Sequence, residues 1–246
     1  MRKSLPKYRI AALLIVLSLA FFAIQHVIFD NPTEAGFLFF QDLAFMPLHV
    51  LIVTFILESI IKEREKRERL EQLNIVVSAF FSEVGMDAIR AFNPYIKNMD
   101  DIASYVKVTG LWEGADFKAA ASKVIGYHFE ADCKAGDLEE TRQLLSGKKS
   151  SILAMFENPN LLENSRFTSM LWAIYHVMDE LNSRDGFWDL PETDYDHLSV
   201  DIERAYKLLV IEWLFYMKHL KGKYPYLFSL ALRKNPFADN KSVIVY

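Results

Sequence analysis

The sequence predicts an all-α protein with an N-terminal pair of transmembrane helices, a helical stalk continuous with the second, and a cytoplasmic α-helical domain. Three observations predict it. Residues 10–29 and 37–61 are two apolar runs of membrane-spanning length. Glycine (9) and proline (8) are sparse among 246 residues, which disfavours a turn-rich β fold. The remainder carries apolar residues at spacings of three and four, the period of a helix packed on one face.

The first element is a basic tail over residues 1–9, with Arg2, Lys3, Lys7 and Arg9. IAALLIVLSLAFFAIQHVIF, residues 10–29, then reads as the first spanning helix. A cleaved leader is disfavoured, because no A-x-A-like site follows this run cleanly. Residues 30–36, DNPTEAG, form a short external loop with Asn31-Pro32 and Gly36 as breakers, so the helices on either side should run antiparallel. The second span, 37–61, ends in KEREKRER with five basic residues, whereas the loop carries only Asp30 and Glu34. Positive charge stays inside, so both termini are expected in the cytoplasm, with the chain in a plasma or bacterial inner membrane.

The second run also carries polar groups. Gln41 and Asp42 are expected opposite Gln25 and His26 near the outer boundary, and Glu58 near Arg9 at the inner one. Charges at the edges cost less than the about 2.5–3.5 kcal/mol of an Asp at the centre. His49 lies near mid-depth, seven residues after Asp42 and on the same face. Pro47 frees the carbonyl of Leu43. The stripe His26, Gln41, Asp42 and His49 is therefore expected to face the first helix or another copy rather than lipid, as a polar seam.

Residues 62–92 read as a juxtamembrane stalk. Glu63 with Arg67 and Glu65 with Arg69 are i,i+4 pairs in the favourable order. Leu70, Leu73, Val77, Phe80 and Val84 make a coiled-coil-like seam of only about two heptads, which must pack on its own domain or a second copy. The cytoplasmic domain, 93–246, is expected to hold helices over 100–108, 116–127, 137–156, 161–181, 196–220 and 226–233. Leu208–Met217 is apolar on nearly all sides and should be central, with Glu212 buried in its middle and paired with a base such as Arg166 or Lys207.

The chemistry-bearing residues lie on helices. His176 and Glu180 share a face at i,i+4, as do His197 and Asp201, and Glu212 and His219 are seven apart. Convergence of these six would create a metal site of the kind found between helices. Neither HExxH nor paired Glu-x-x-His is present, nor a Gly-rich phosphate loop or G-x-S-x-G. No cofactor is expected, with a divalent metal the exception the six residues allow. The single Cys133 excludes an internal disulfide and reads as a buried thiol, and a net charge of −4 gives no global attraction to nucleic acid.

Trp112, Phe187 and Trp188 stand in loops and are candidate contacts for a partner, with core anchoring as the alternative. NPF at 235–237 and the terminal SVIVY are expected to pack back as an extended tail. The expectation is thus a membrane-anchored interaction or regulatory module, self-associating and engaging a cytoplasmic protein. The alternatives are a subunit of an oligomeric channel or transporter using Asp42 and His49, and a membrane-anchored metal-dependent enzyme.

Overall fold

The computed structural model describes residues 7–28, 35–162 and 164–237, all of it helical apart from loops and one isolated bridge between Ile96 and Ala131. The chain divides into two compact units, Met1–Glu68 and Arg69–Tyr246.

In the first unit, α1 spans Lys7–Ile28 and α2 spans Ala35–Phe80, the latter continuing past the unit's end. Both are long and apolar enough to cross a membrane, and only 11% of each apolar window is buried. Leu13, Val16, Leu19, Val27, Phe39 and Ile60 all point outward. Hydrogen bonds join the helices at two points among the described residues. The Ser18 hydroxyl donates to the Ala44 carbonyl at 2.5 Å, and Gln25 Nε2 donates to the Phe37 carbonyl at 3.2 Å. Pro47 lies inside α2 without ending it. Glu58 pairs with Lys62 one turn on at 2.8 Å. Residues 29–34, which hold most of the loop expected over 30–36, residues 1–6 of the expected basic tail, and SVIVY lie outside the described residues.

The second unit begins inside α2, so most of the expected stalk belongs to the domain. Val77, Phe80 and Val84 are fully or nearly fully buried there, Leu73 is partly buried and Leu70 is half-exposed. After Phe80 the helix widens into a π-helical turn, Phe81–Gly85, and resumes as α3, Met86–Phe92. A Cβ at Gly85 would come within 2.6 Å of the Phe81 ring, so this turn demands glycine. Phe81 stacks on Tyr216 at 4.8 Å, and Phe80 meets Phe167 edge-on at 5.2 Å.

The helices that follow are α4 (Ala103–Val106), α5 (Gly114–Gly126), α6 (Leu138–Gly147), α7 (Lys149–Phe156), α8 (Pro159–Leu162), α9 (Ser165–Asn182), α10 (Glu192–Lys223) and α11 (Pro225–Arg233). The single helix expected over 137–156 is instead two. Gly147 has low helix propensity, and Lys148 leaves the helical region at φ −99°, ψ 1°. Asp137 caps the first piece through the amides of Glu139 and Glu140.

The middle of α10 is the centre of the core, as its all-round apolarity requires. Leu209, Val210, Trp213, Leu214 and Met217 are fully buried, with α9 and α5 packed against them. The NPF segment closes one side: Phe237 packs on Trp213 at 4.9 Å, and Asn93 Nδ2 donates to the Pro236 carbonyl.

Candidate metal centre

Helices α9 and α10 meet along buried apolar faces, Leu171, Ile174, Val177, Met178 and Leu181 against Leu198, Ile202 and Ala205. At the end of this seam nearest their connecting loop, the facing positions are polar. His176 and Glu180 lie one turn apart on α9, and His197 and Asp201 one turn apart on α10. One ligand atom from each of the four falls within 4.8 Å of all the others.

Two acceptor atoms sit between two imidazoles. Asp201 Oδ2 is 3.1 Å from His176 Nε2 and 3.4 Å from His197 Nε2. Glu180 Oε1 is 3.8 Å from each of the same nitrogens. Four donors around a tetrahedral metal with bonds of about 2.0–2.2 Å lie about 3.4 Å apart, and the four carboxylate–imidazole separations bracket that spacing, within a set spread over no more than 4.8 Å.

The other oxygen of each carboxylate is engaged. Arg184 Nη1 donates to Glu180 Oε2 at 2.9 Å, and Arg204 Nη2 donates to Asp201 Oδ1. Arg184 also grips Asp194 with two hydrogen bonds, 2.8 and 2.6 Å. An arginine cannot give up its charge, so each fixes its carboxylate and leaves one oxygen to face the imidazoles. Arg184 holds Glu180 and Asp194 below the usual carboxylate range, so Glu180 stands ready as an anionic ligand at neutral pH.

Asp201 is the most telling member. Its side chain is 2% exposed, yet Oδ2 accepts no hydrogen bond. A buried carboxylate oxygen left this way is costly unless a cation completes it. The imidazoles are 44% and 51% exposed, so the site opens to solvent on one side. Two imidazoles with two monodentate carboxylates suit zinc, iron, nickel or cobalt better than calcium or magnesium.

Glu212 and His219 do not join them. On α10 they lie 11 and 18 residues beyond Asp201, about 16 and 27 Å along the axis. Glu212 pairs with Arg166 at 3.2 Å, one of the two bases expected, and Lys207 instead donates to the Tyr127 carbonyl. Burial pushes the Glu212 carboxyl up, partly offset by Arg166. His219 is lowered by burial and packs beside Tyr224.

Of the three loop aromatics, two are core anchors. Trp112 packs edge-on against Phe117 at 5.2 Å, and Phe187 lies under the Arg142 guanidinium. Trp188 is 88% exposed. Cys133 is buried, donates to the Tyr195 carbonyl and has its thiol pushed up by burial. In the first unit His26, Asp42 and His49 are exposed and Gln41 half-buried, while Ser18 and Gln25 make the buried polar contacts described above.

Arg184 and Arg204 are the site residues the sequence reading missed. Their spacing was the available signal, since Arg184 follows Glu180 by four residues and Arg204 follows Asp201 by three.

Residues 69–233 match a family model described as "Uncharacterized protein MJ1433, C-terminal helical domain", and residues 2–61 match one described as "MJ1433, N-terminal helical domain". Over 236 residues the chain is 41% identical to "Uncharacterized protein MJ1433" of Methanocaldococcus jannaschii, a similarity covering 96% of this chain and 94% of that one. No solved structure matches.

Proposed function

This chain belongs to the MJ1433 family in both its helical parts, and from that premise we propose a membrane-anchored helical protein whose inward-facing domain is a regulatory or interaction module carrying one divalent transition metal between α9 and α10. The observation that carries the metal reading is Asp201 Oδ2, buried, without a hydrogen bond and aimed between two imidazoles.

Anchoring is supported by the two apolar helices and their exposed Leu, Val, Ile and Phe side chains, which lipid would cover. Basic residues flank both runs on the same side. Ser18 bonds to Ala44 and Gln25 to Phe37, so the partner's number falls as the donor's rises, the signature of an antiparallel hairpin. Asp42 and His49 lie on one outward face, a costly arrangement against lipid that a second copy would relieve. That favours a homo-oligomer in the membrane. The same residues would line the passage in a channel reading, which ion flux surviving His49→Ala and Asp42→Ala in liposomes would eliminate.

The direct test is metal content. The full chain in detergent micelles, stripped with EDTA and reloaded with Zn2+, is expected to hold one metal per chain. A wild-type protein that retains no stoichiometric metal with Zn2+, Fe2+, Co2+ or Ni2+ overturns the reading. A reporter after Tyr246 should sit inside the cell, and an external signal would overturn the orientation.

A further inference from the structure

The four residues of the candidate centre lie in pairs on either side of the loop 183–191, which joins α9 to α10. A metal held by Glu180 and His197 would therefore close the chain between them, as a clip closes a loop. The centre sits at the mouth of this loop.

Arg184 connects the two physically. It is the second residue after α9, and its side chain is only 14% exposed. Its guanidinium takes the Glu180 carbonyl at 2.5 Å and Glu180 Oε2 at 2.9 Å on one side, and the Asp194 carboxylate in α10 on the other. One side chain thus ties both ends of the loop, and one of its ties is to the far oxygen of a candidate ligand.

The loop's remaining contacts hang from the same frame. Arg142 Nη1 donates to the Arg184 carbonyl at 3.1 Å while its guanidinium covers the Phe187 ring at 5.5 Å. The Tyr195 hydroxyl donates to the Phe187 carbonyl at 2.6 Å. Trp188 then folds over Gly186 so closely that a Cβ there would come within 2.6 Å of the indole. This is the most exposed tryptophan described, at the tip of a loop whose base is set by Arg184.

We propose that metal occupancy of His176, Glu180, His197 and Asp201 controls the order of loop 183–191, with Arg184 as the positioning residue that transmits it and Trp188 as the group it presents. The inference rests on the metal reading above and adds regulation to it. Without the metal, Glu180 Oε1 and Asp201 Oδ2 have only the half-exposed imidazoles of His176 and His197 to face, and α9 and α10 part more readily at this end. With it, both pairs are drawn together, Glu180 is fixed in one orientation, and Arg184 holds Asp194 against it. Anything that binds the clasped form and not the parted one suppresses opening by its saturation ratio, about 100-fold at 100 times Kd.

The experiment is hydrogen–deuterium exchange of the full chain in micelles, EDTA-stripped and then reloaded with Zn2+, with metal content measured on the same samples. The amides of Ser183, Asp194 and Tyr195 are hydrogen-bonded at the loop's two ends and report on its opening. Reloading is expected to slow their exchange by tens of fold while α5 is unchanged. His176→Ala, a half-exposed position where folding is safe, should abolish metal and response together. Arg184→Gln should keep the metal and lose most of the response. Stoichiometric metal with no change at the loop overturns the inference and leaves the metal reading standing. No metal at all overturns both. A full response in Arg184→Gln overturns the role of that arginine.

Discussion

Asp201 and Glu212 ride the same helix, both almost wholly buried, and each lies within reach of an arginine. Around Asp201 the neighbours are two half-exposed imidazoles, a second carboxylate and Arg204, and one oxygen is turned inward without a donor. Glu212 Oε1 likewise makes no hydrogen bond, but among the described residues what faces it is the Arg166 guanidinium, itself laid on the Phe215 ring at 4.1 Å, amid the aromatic core and with no imidazole or second carboxylate beside it. Equal burial therefore gives two different devices. One carboxylate is surrounded by metal donors, and the other has only an ion pair to offset its loss of water.

The contrast is sharpest in metal binding. Asp201→Asn should cost at least about 100-fold in Zn2+ affinity, since it removes the buried anionic ligand, while Glu212→Gln should leave affinity and stoichiometry as they are. Titration of both variants by calorimetry separates them, and equal losses would erase the distinction drawn here.

A middle-sized effect is expected in thermal stability. Saturating metal at about 100 times Kd adds about 2.7 kcal/mol to the folded state, worth several degrees in Tm for a domain this size. EDTA should remove that increment from the wild type and from Glu212→Gln, and remove nothing from Asp201→Asn. A Tm indifferent to EDTA in the wild type would break this side of the comparison.

A smaller effect is one of pH. The folded-state pKa of Glu212 is raised by burial, so the folded protein holds this proton more tightly than the unfolded chain does. Its stabilising contribution is complete below the ordinary glutamate value near about 4.3 and is lost as pH rises from there through the folded pKa. Glu180 behaves oppositely. Its pKa is lowered by Arg184, so its contribution stands above the ordinary value and is lost as pH falls through the folded one. Urea midpoints of metal-free protein across acid and neutral pH should show Glu212→Gln gaining on the wild type as pH rises, with Arg184→Gln losing most near neutrality. An unchanged Glu212→Gln difference across that range would contradict the sign.

The smallest effect belongs to the exposed tip. Trp188→Ala should move stability by no more than about 0.5 kcal/mol, as expected for a side chain 88% exposed. A larger loss in denaturant titration would show that the indole over Gly186 anchors the loop.

The π-helical turn and the division of one expected helix at Lys148 could not be read from the sequence. Both depend on what packs around them, Phe80 and Phe81 crowding Gly85 in one case and Lys148 reaching Asp87 at 3.1 Å in the other. Between α1 and α2, Ser18 and Gln25 make the hydrogen bonds described above, which depend on the register of one helix against the other and not on the spacing within either.

Local pattern alone established the helical class, the two apolar runs, the buried middle of α10 and the pairing of His176 with Glu180 and His197 with Asp201. Each follows from a repeat of 3.6 residues within one segment, which needs no knowledge of the rest of the chain. Which pairs meet was decided by the register of α9 against α10, where position 176 faces 201 and 180 faces 197. That register comes from many apolar contacts between segments, and it left Glu212 and His219 turns away from the cluster they had been grouped with. Spacing along a helix is a local property, but distance between helices is a sum over the whole core.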